Sequence, residues 1–512
     1  MYLEPVTTKE LLQQIKRLNP KKTSGPDSLK PKLIRDSAEH IAKPLTYIIN
    51  LSFKTGIFPD MLKIAQIVPI YKAKEKYLPG NYRPISLLNC FGKITEKLVH
   101  KRLYTYLNKY KILYIHQYGF RTNHSTILAL IELIDNIKDQ MNSNKYAAGL
   151  YVDLKKAFDT VDHSILLAKL DNYGIRGVVL KWFRSYLSDR SQYTLTNNTQ
   201  SDTLYIRCGV PQGSVLGPLL FLIYINDIRA ATDVGTIMLF ADDANMYLAN
   251  KNLPELFQEL KKGIGDLSKW FHNNKLSLSL EKTQYTIFHS KRKHIPDIYN
   301  SIQLNNTSIH KVQKVKYLGM TIDENLSWEE HVRNLKSSLT KLASSFKIIK
   351  HYIPRNCKMN MYYAYAYSKI QYGIEVYGGG GRGTIKQIQI LQNRVLKILF
   401  NKDWLTPTKE LHKELKVLLV SDIHRLQISK FVYKFFHNTL PPPFADYYKL
   451  NSNTHEHHTR TNNHIHIDRM HSPNTVKVAG AKIYNDIPEC IRTSNTLKTF
   501  AHNLKQHSID QY

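Results

Sequence analysis

Four cysteines in 512 residues, Cys90, Cys208, Cys357 and Cys490, stand far apart with no paired spacing. That scarcity excludes a disulfide scaffold and a zinc knuckle and implies a reducing compartment. Long hydrophobic runs are also missing. The longest, Val215 to Ile225, has 11 residues, too short to span a bilayer, and no signal peptide opens the chain. No long internal repeat occurs, which excludes a solenoid. Acidic residues are scarce as well. Lys and Arg outnumber Asp and Glu by 72 to 41, a formal net charge of +31. A surplus of that size favours a polyanionic partner, and lysines interleaved with Tyr and Phe suit nucleic acid better than a membrane surface. What is present fits a folded, multi-domain chain: 42% of the residues are apolar and 33 are tyrosines.

The scarce acids are concentrated where they are least comfortable. Residues 237 to 249 read Ile-Met-Leu-Phe-Ala-Asp-Asp-Ala-Asn-Met-Tyr-Leu-Ala. Two apolar runs, Ile237 to Phe240 and Ala244 to Leu248, flank an Ala-Asp-Asp-Ala corner, which predicts a β-hairpin with two carboxylates at its tip. Adjacent like charges in an apolar setting repel and lose hydration, so they call for a cation. Oxygen-only ligands suit Mg²⁺, held by one or two acids plus substrate phosphates. An Asp-Asp pair by itself is commonly just a polar turn. A third acid, Asp153, ends a second apolar run, Tyr146 to Leu154. It lies 89 positions before Asp242, so only the fold can unite them.

Elsewhere the pattern predicts helices over Thr8 to Leu18, Leu29 to Asp36, Ile41 to Lys54 with Gly56 as C-cap, Gly92 to Leu107 and Ile127 to Met141. A hairpin, Ile64 to Lys72 and Ile85 to Leu88 around Pro79 to Pro84, presents Lys72 and Arg83. Gly209 to Gly217 is a glycine-rich loop, of the kind that lets a backbone approach a phosphate or base, opening an apolar helix Pro218 to Ile228. Leu256 to Asn273 reads as a helix, and Lys275 to Phe288 as alternating strands with Lys282 in the bend. Tyr317-Leu318-Gly319 reads as a strand and turn. Further helices are expected over Trp328 to Arg355, Met359 to Tyr372 and Ile385 to Phe400, with a flexible glycine break at Gly378 to Gly383. Beyond Asn401 the texture changes, and six histidines between His455 and His471 lack zinc-finger spacing.

In order, these residues resemble a known family. Asn81-Tyr-Arg-Pro84, Gln117-Tyr-Gly-Phe120, Asp153 with Phe158, Gly209-Val-Pro-Gln-Gly-Ser214, Phe240-Ala-Asp-Asp243 and Tyr317-Leu-Gly319 are similar to the motifs of reverse transcriptases. The resemblance is specifically to the polymerase part of non-LTR (LINE-type) retrotransposons, closest to jockey-like elements. Ser24-Gly-Pro-Asp27 resembles the family's amino-terminal extension. Tyr372-Gly373, Leu391-Gln-Asn393 and Ile483-Tyr-Asn-Asp-Ile-Pro488 resemble its thumb and tail. Ser279 and Tyr377 depart from the pattern, where the family usually has Asn and Trp.

The resemblance implies an α+β right hand: amino-terminal extension and fingers over 1–145, palm with an antiparallel sheet over 146–330, helical thumb over 331–400, and a helical or irregular carboxy-terminal region over 401–512. It implies an RNA-directed DNA polymerase that adds deoxynucleoside triphosphates to a DNA 3′-hydroxyl on an RNA template. Asp153 and Asp242 would be the principal ligands of two Mg²⁺ ions, with Mn²⁺ able to substitute, and Asp243 the third acid. Lys72 and Arg83 would hold the triphosphate, and Lys282 would stand near the leaving group. Gln212 and Gly213 would support template and incoming base. Phe158 would lie under the sugar, and Tyr317, Leu318 and Gly319 would grip the primer. Partners would be template RNA, primer or target DNA and the element's RNA in an intracellular ribonucleoprotein of nucleus or cytoplasm, with no membrane. Only about 24 residues precede Ser24-Gly-Pro-Asp27, hence the expectation of a chain that lacks the usual endonuclease and does not itself nick DNA. Rival readings are an RNA-templated RNA polymerase, an intron maturase and a non-enzymatic RNA-binding remnant. Phe158 argues against RNA synthesis, and the three intact acids argue against a remnant.

The charge balance gives a first expected outcome. With about six to ten phosphate contacts, affinity for a primer–template duplex should fall roughly 10³- to 10⁵-fold between 50 and 200 mM salt. A filter-binding titration measures it, and a flat salt response contradicts it.

Overall fold

The strand Tyr146–Val152 organises the computed structural model, which describes residues 1–196, 199–304, 307–453, 463–468 and 470–512. Six of its seven positions are buried. Successive side chains of a strand point to opposite faces, and here both faces are covered. Ala148, Leu150 and Val152 enter one hydrophobic core, Ala147 and Tyr151 another. The strand is central in a four-stranded antiparallel sheet. The order is Thr236–Phe240, Asp243–Asn250, Tyr146–Val152, Gln284–Phe288.

On the first face lie helices Cys90–Lys109, Gly217–Ile225 and Leu253–Asn273. Gly217–Ile225 is apolar all round, and a helix of that kind must be enclosed; eight of its nine residues are buried. On the second face lie helices Thr126–Asn142, Glu329–Ile349 and Arg382–Phe400. The region after Asn401 joins this second core through helices Thr408–Leu415, Val420–Phe436, Val476–Asn485 and Leu497–Asp510. It is also fastened to helix Thr126–Asn142 by polar contacts. Asp135 accepts from the N–H groups of Val476 (3.0 Å) and Lys477 (3.3 Å), and Asp139 accepts from Ser472 N–H (2.9 Å). Asp139 also meets His471 Nδ1 at 2.6 Å.

A second sheet stands beside the first. Ile64–Tyr71 pairs antiparallel with Tyr82–Leu87 and parallel with Ser191–Thr196. No helix among the described residues is long and apolar enough to cross a membrane.

The mixed helix and sheet content agrees with the α+β expectation, and the acid hairpin, the Lys72–Arg83 hairpin and the Gly56 cap (φ +68) are found. Several expectations need correction. Lys275 to Phe288 is not a set of alternating strands: only Gln284–Phe288 is one, and Leu278 makes a single bridge to Leu154. Residues 279–283 instead turn tightly, Lys282 and Thr283 N–H both bonding Ser279 O at 3.0 and 2.9 Å. The helix over Trp328 to Arg355 ends at Ile349, and Met359 to Tyr372 is interrupted by a π-helical turn, Tyr362–Tyr367. Gly378 to Gly383 is not merely a flexible break. Gly378 packs so closely that a Cβ there would stand 2.3 Å from the His424 ring. Helices His163–Asn172 and Gly177–Leu187 and the small hairpin Ser301–Leu304 with Thr307–His310 lie in stretches where no element was expected. Of the six histidines, His455, His457 and His458 fall outside the described residues, and no metal-holding group of three or more His, Cys, Asp or Glu occurs among the described residues.

The first core is anchored by Trp182, which is fully buried, stacks on Tyr186 at 5.5 Å, meets Phe58 edge-on at 5.4 Å and donates to Ser52 Oγ at 3.0 Å. Trp182→Ala should cost about 3–5 kcal/mol, read as a lowered denaturant midpoint. A loss below about 1 kcal/mol would mean that the site collapses around the cavity.

Candidate active site

The sheet runs out of its own core at one end, and the acids sit there. Phe240 pairs with Asp243, so Ala241 and Asp242 form a two-residue turn. On the neighbouring strand Val152 pairs with Ala244, and the next residue is Asp153. Two antiparallel strands therefore deliver Asp153 and the Asp242–Asp243 tip to the same edge, closing the 89-position gap in sequence.

Their electrostatics show the crowding. The Asp242 carboxyl is raised above the usual range by loss of water and by the Asp153 charge, while Arg83 and Lys72 pull it back down. Asp243 keeps an exposed edge. Even so, desolvation, followed by the charges of Asp242 and Asp153, pushes it up to about 6. Lys282 Nζ donates to Asp153 Oδ2 at 3.0 Å across an exposed gap. An ion pair so open to water contributes about 0–1 kcal/mol and exchanges readily.

Lys72 and Arg83 are both solvent-exposed and reach the acids from the second sheet, where Ile70 pairs with Arg83 and Lys72 N–H bonds Asn81 O at 2.9 Å. The loop of Gln212 and Gly213 is stitched to that same strand, since Ser86 N–H donates to Gln212 O at 2.7 Å. Gly213 has φ +124, and a Cβ there would stand 2.6 Å from Ser86 O, so the position needs glycine. The Gln212 side chain donates to Asp159 Oδ1 at 2.9 Å. Phe158 is half-buried, stacked on Phe221 at 4.6 Å and edge-on to Phe120 at 6.2 Å.

Tyr317 is buried against Tyr151 at 5.3 Å, and its hydroxyl has no hydrogen-bond partner among the described residues. Burial first, then Tyr151 and Asp243, raise its pKa. Leu318 and Gly319 are the tip of the hairpin Lys314–Tyr317 with Met320–Asp323, both at positive φ (+43 and +80). Their contact is with Tyr372, whose hydroxyl donates to Leu318 O at 2.6 Å, rather than with the acids.

Four residues that support the site carried no role in the sequence reading. Gln117 bonds the acid turn, and Glu132 bonds the loop containing Gln117. Asp159 holds Gln212, and buried Glu96 accepts from Val215 N–H at 2.6 Å and from Tyr186 at 2.8 Å. Gln117 lies inside a motif that was visible; Glu132 and Glu96 lie within helices where nothing marks them out.

Comparison with known proteins comes down on the same stretch. Residues 70–322 match the family model described as reverse transcriptase (RNA-dependent DNA polymerase). The chain is 30% identical over 434 residues to the RNA-directed DNA polymerase from mobile element jockey of Drosophila melanogaster, covering 82% of this chain and 46% of that protein. It is 27% identical over 440 residues to the probable RNA-directed DNA polymerase from transposon BS of the same organism, covering 82% and 47%. A polyprotein from type-1 retrotransposable element R1 of Bradysia coprophila is 26% identical over 346 residues, covering 66% and 33%. This chain thus spans just under half the length of its jockey and BS relatives.

The raised Asp243 pKa has a definite sign. A folded value of about 6 against an ordinary 3.8 means that the folded state holds the proton more tightly. That contribution to stability is complete below the unfolded value and lost as pH rises through about 6. Asp243→Asn should therefore raise the melting temperature of the cation-free protein above that pH. Solvent screening limits the gain to at most about 1 kcal/mol, or about 1–3 °C. The gain should vanish toward pH 4. Calorimetry across the pH range checks this, and a lowered melting temperature at pH 7.5 contradicts it.

Proposed function

This chain belongs to the reverse transcriptase (RNA-dependent DNA polymerase) family, on its jockey-like, non-LTR retrotransposon branch, and from that membership we propose that it extends a DNA 3′-hydroxyl along an RNA template. The observation that carries the proposal is the meeting of Asp153 with Asp242 and Asp243 at the rim of an antiparallel sheet, faced by Lys72 and Arg83 from a separate hairpin.

Among the described residues no three His, Cys, Asp or Glu side chains are gathered closely enough to hold an ion by themselves, so Mg²⁺ at this rim would rest on Asp153 and Asp242 together with water and substrate phosphates. The oxygens on offer are hard carboxylate oxygens, burial first and neighbouring negative charge second raise the pKa of Asp242 and Asp243, and Lys282 is the only cation bonded to any of the three acids among the described residues. Protein ligands alone do not complete a cage, which agrees with Mg²⁺ keeping water and substrate phosphates in its shell. Asp153 and Asp242 would hold the ions and Asp243 would complete the acid set. When bound, a pair of such ions supplies activation of the attacking hydroxyl and charge neutralisation at the leaving pyrophosphate.

The chain's own residues do the rest. Lys72 and Arg83 attract the triphosphate to the acid rim and offset the negative charge that grows during transfer. Lys282, released from Asp153, moves its ammonium toward the departing pyrophosphate. Gln212 and Gly213 bring backbone close to the template and the incoming base. Phe158, held flat on Phe221, blocks a 2′-hydroxyl beneath the sugar and selects deoxynucleotides. Tyr317 with Leu318 and Gly319 steadies the primer end.

In this reading residues 1–145 are the amino-terminal extension and fingers, 146–330 the palm, 331–400 the thumb and 401–512 a carboxy-terminal region packed on the thumb core. The working partners are RNA template, DNA primer or target, deoxynucleoside triphosphates and the element's own RNA, in a ribonucleoprotein of the nucleus or cytoplasm.

Primer extension by the purified chain on an RNA template tests the proposal. Asp242→Ala should lower extension by roughly 10²-fold or more, with folding near normal because a crowded carboxyl is removed rather than a packing group. Extension retained across a Mg²⁺ titration would overturn the assignment.

A further inference from the structure

The acid turn contains a residue in an unfavourable conformation. Ala241, first of the two turn residues, has φ +57. Side chains with a Cβ avoid that region, and two-residue hairpin turns usually fill it with Gly, Asn or Asp. Neighbouring structure must hold it there.

The hold comes from one loop, residues 116–120. Leu239 N–H donates to His116 O at 2.9 Å and Tyr118 N–H donates to Leu239 O at 2.7 Å, so the loop is paired to strand Thr236–Phe240. Between those bonds Gln117, 2% exposed, turns its side chain to the turn. Its Oε1 accepts from Ala241 N–H at 3.0 Å and from Gly119 N–H at 2.7 Å. A Cβ at Gly119 would stand 2.3 Å from Ala241 N, so only glycine permits this approach. Glu132 secures the loop on either side of Gln117, accepting from the Tyr118 hydroxyl and meeting His116 Nδ1 at 2.6 Å.

We propose that Gln117 is a positioning residue for polymerisation: it fixes Asp242 through the backbone N–H of Ala241. The inference rests on the polymerase reading above. An amide suits the task because its oxygen accepts two bonds without placing a fourth negative charge beside three carboxylates. The same side chain ties the Gln117-Tyr-Gly-Phe120 loop to the acid tip, so two motifs far apart in sequence act as one unit.

Three variants of the full chain test this. Gln117→Met keeps the volume and removes the acceptor, leaving two buried N–H groups unpaired. Its kcat for primer extension should fall roughly ten- to a hundredfold, with KM for the nucleotide within about threefold of wild type. Gln117→Glu keeps an acceptor oxygen but brings the fourth negative charge, so its kcat should stay below wild type. A readout independent of turnover is the Mg²⁺ concentration for half-maximal thermal stabilisation, expected to rise several-fold in Gln117→Met. Should Gln117→Met fail to fold, Gln117→Asn, which keeps the amide but stops one methylene short, takes its place with the same expected split.

A Gln117→Met chain that melts lower but keeps wild-type kcat and Mg²⁺ response would show a merely structural role and overturn the proposal. So would a Gln117→Asn chain with the kcat and Mg²⁺ response of wild type. Wild-type extension that Asp242→Ala abolishes keeps the polymerase reading intact in either case. A wild-type chain that extends nothing overturns both.

Discussion

Repulsion among three carboxylates governs the arrangement around them. Asp153, Asp242 and Asp243 share one rim of one sheet, and the loss of water there raises the pKa of two of them. Left alone, such a cluster would splay apart or take up protons. It persists because the backbone beneath it is fixed on both faces: Tyr146–Val152 is enclosed by two cores, so its end cannot drift. Positive charge then comes from outside the sheet. Lys72 and Arg83 arrive on a separate hairpin, and Lys282 arrives from the turn before Gln284–Phe288. Each of these cations is exposed, and the one that bonds an acid, Lys282, does so in open solvent.

The supports are built from neutral or buried groups rather than from further exposed charge. Gln117 holds the turn through its amide, and Gly213 lets the Gln212 loop lie directly on the Arg83 strand. Glu132 and Glu96 are acids, but both are buried and occupied by hydrogen bonds from tyrosines. Helix Thr126–Asn142 does two jobs. Glu132 reaches the loop under the acid tip, and one and two turns on, Asp135 and Asp139 bond residues 471–477. The region after Asn401 is therefore continuous with the structure that supports the site rather than an appendage to it.

Much was legible in the sequence, and for identifiable reasons. The acid hairpin showed because two apolar runs with a polar corner have few other solutions, and the structure has that turn at Ala241–Asp242. The buried helix after Gly217 showed because nine residues with hardly a polar atom in their side chains cannot face water. The stretch from Lys275 to Thr283 misled because its alternation mimics a strand, whereas the Ser279 carbonyl captures two amides and closes a turn. Helix His163–Asn172 passed unseen because its apolar positions give no clean stripe, whereas Gly177–Leu187 does carry one, through Val179, Trp182, Phe183, Tyr186 and Leu187, that was overlooked between two polar stretches.

By itself, the sequence determined the family and singled out three acids and three cations as candidates, because a motif set is a matter of particular side chains in a particular order along the chain. Only the tertiary structure decided how they meet. That Asp153 closes on Asp242 across 89 residues depends on strand register, which is set by the packing of two cores and not by any local pattern. That Gln117 bonds Ala241 depends on a loop and a hairpin separated by 124 residues pressing backbone against backbone. A contact of that kind is written in no single stretch of sequence, because it exists only once both elements are held by everything folded around them.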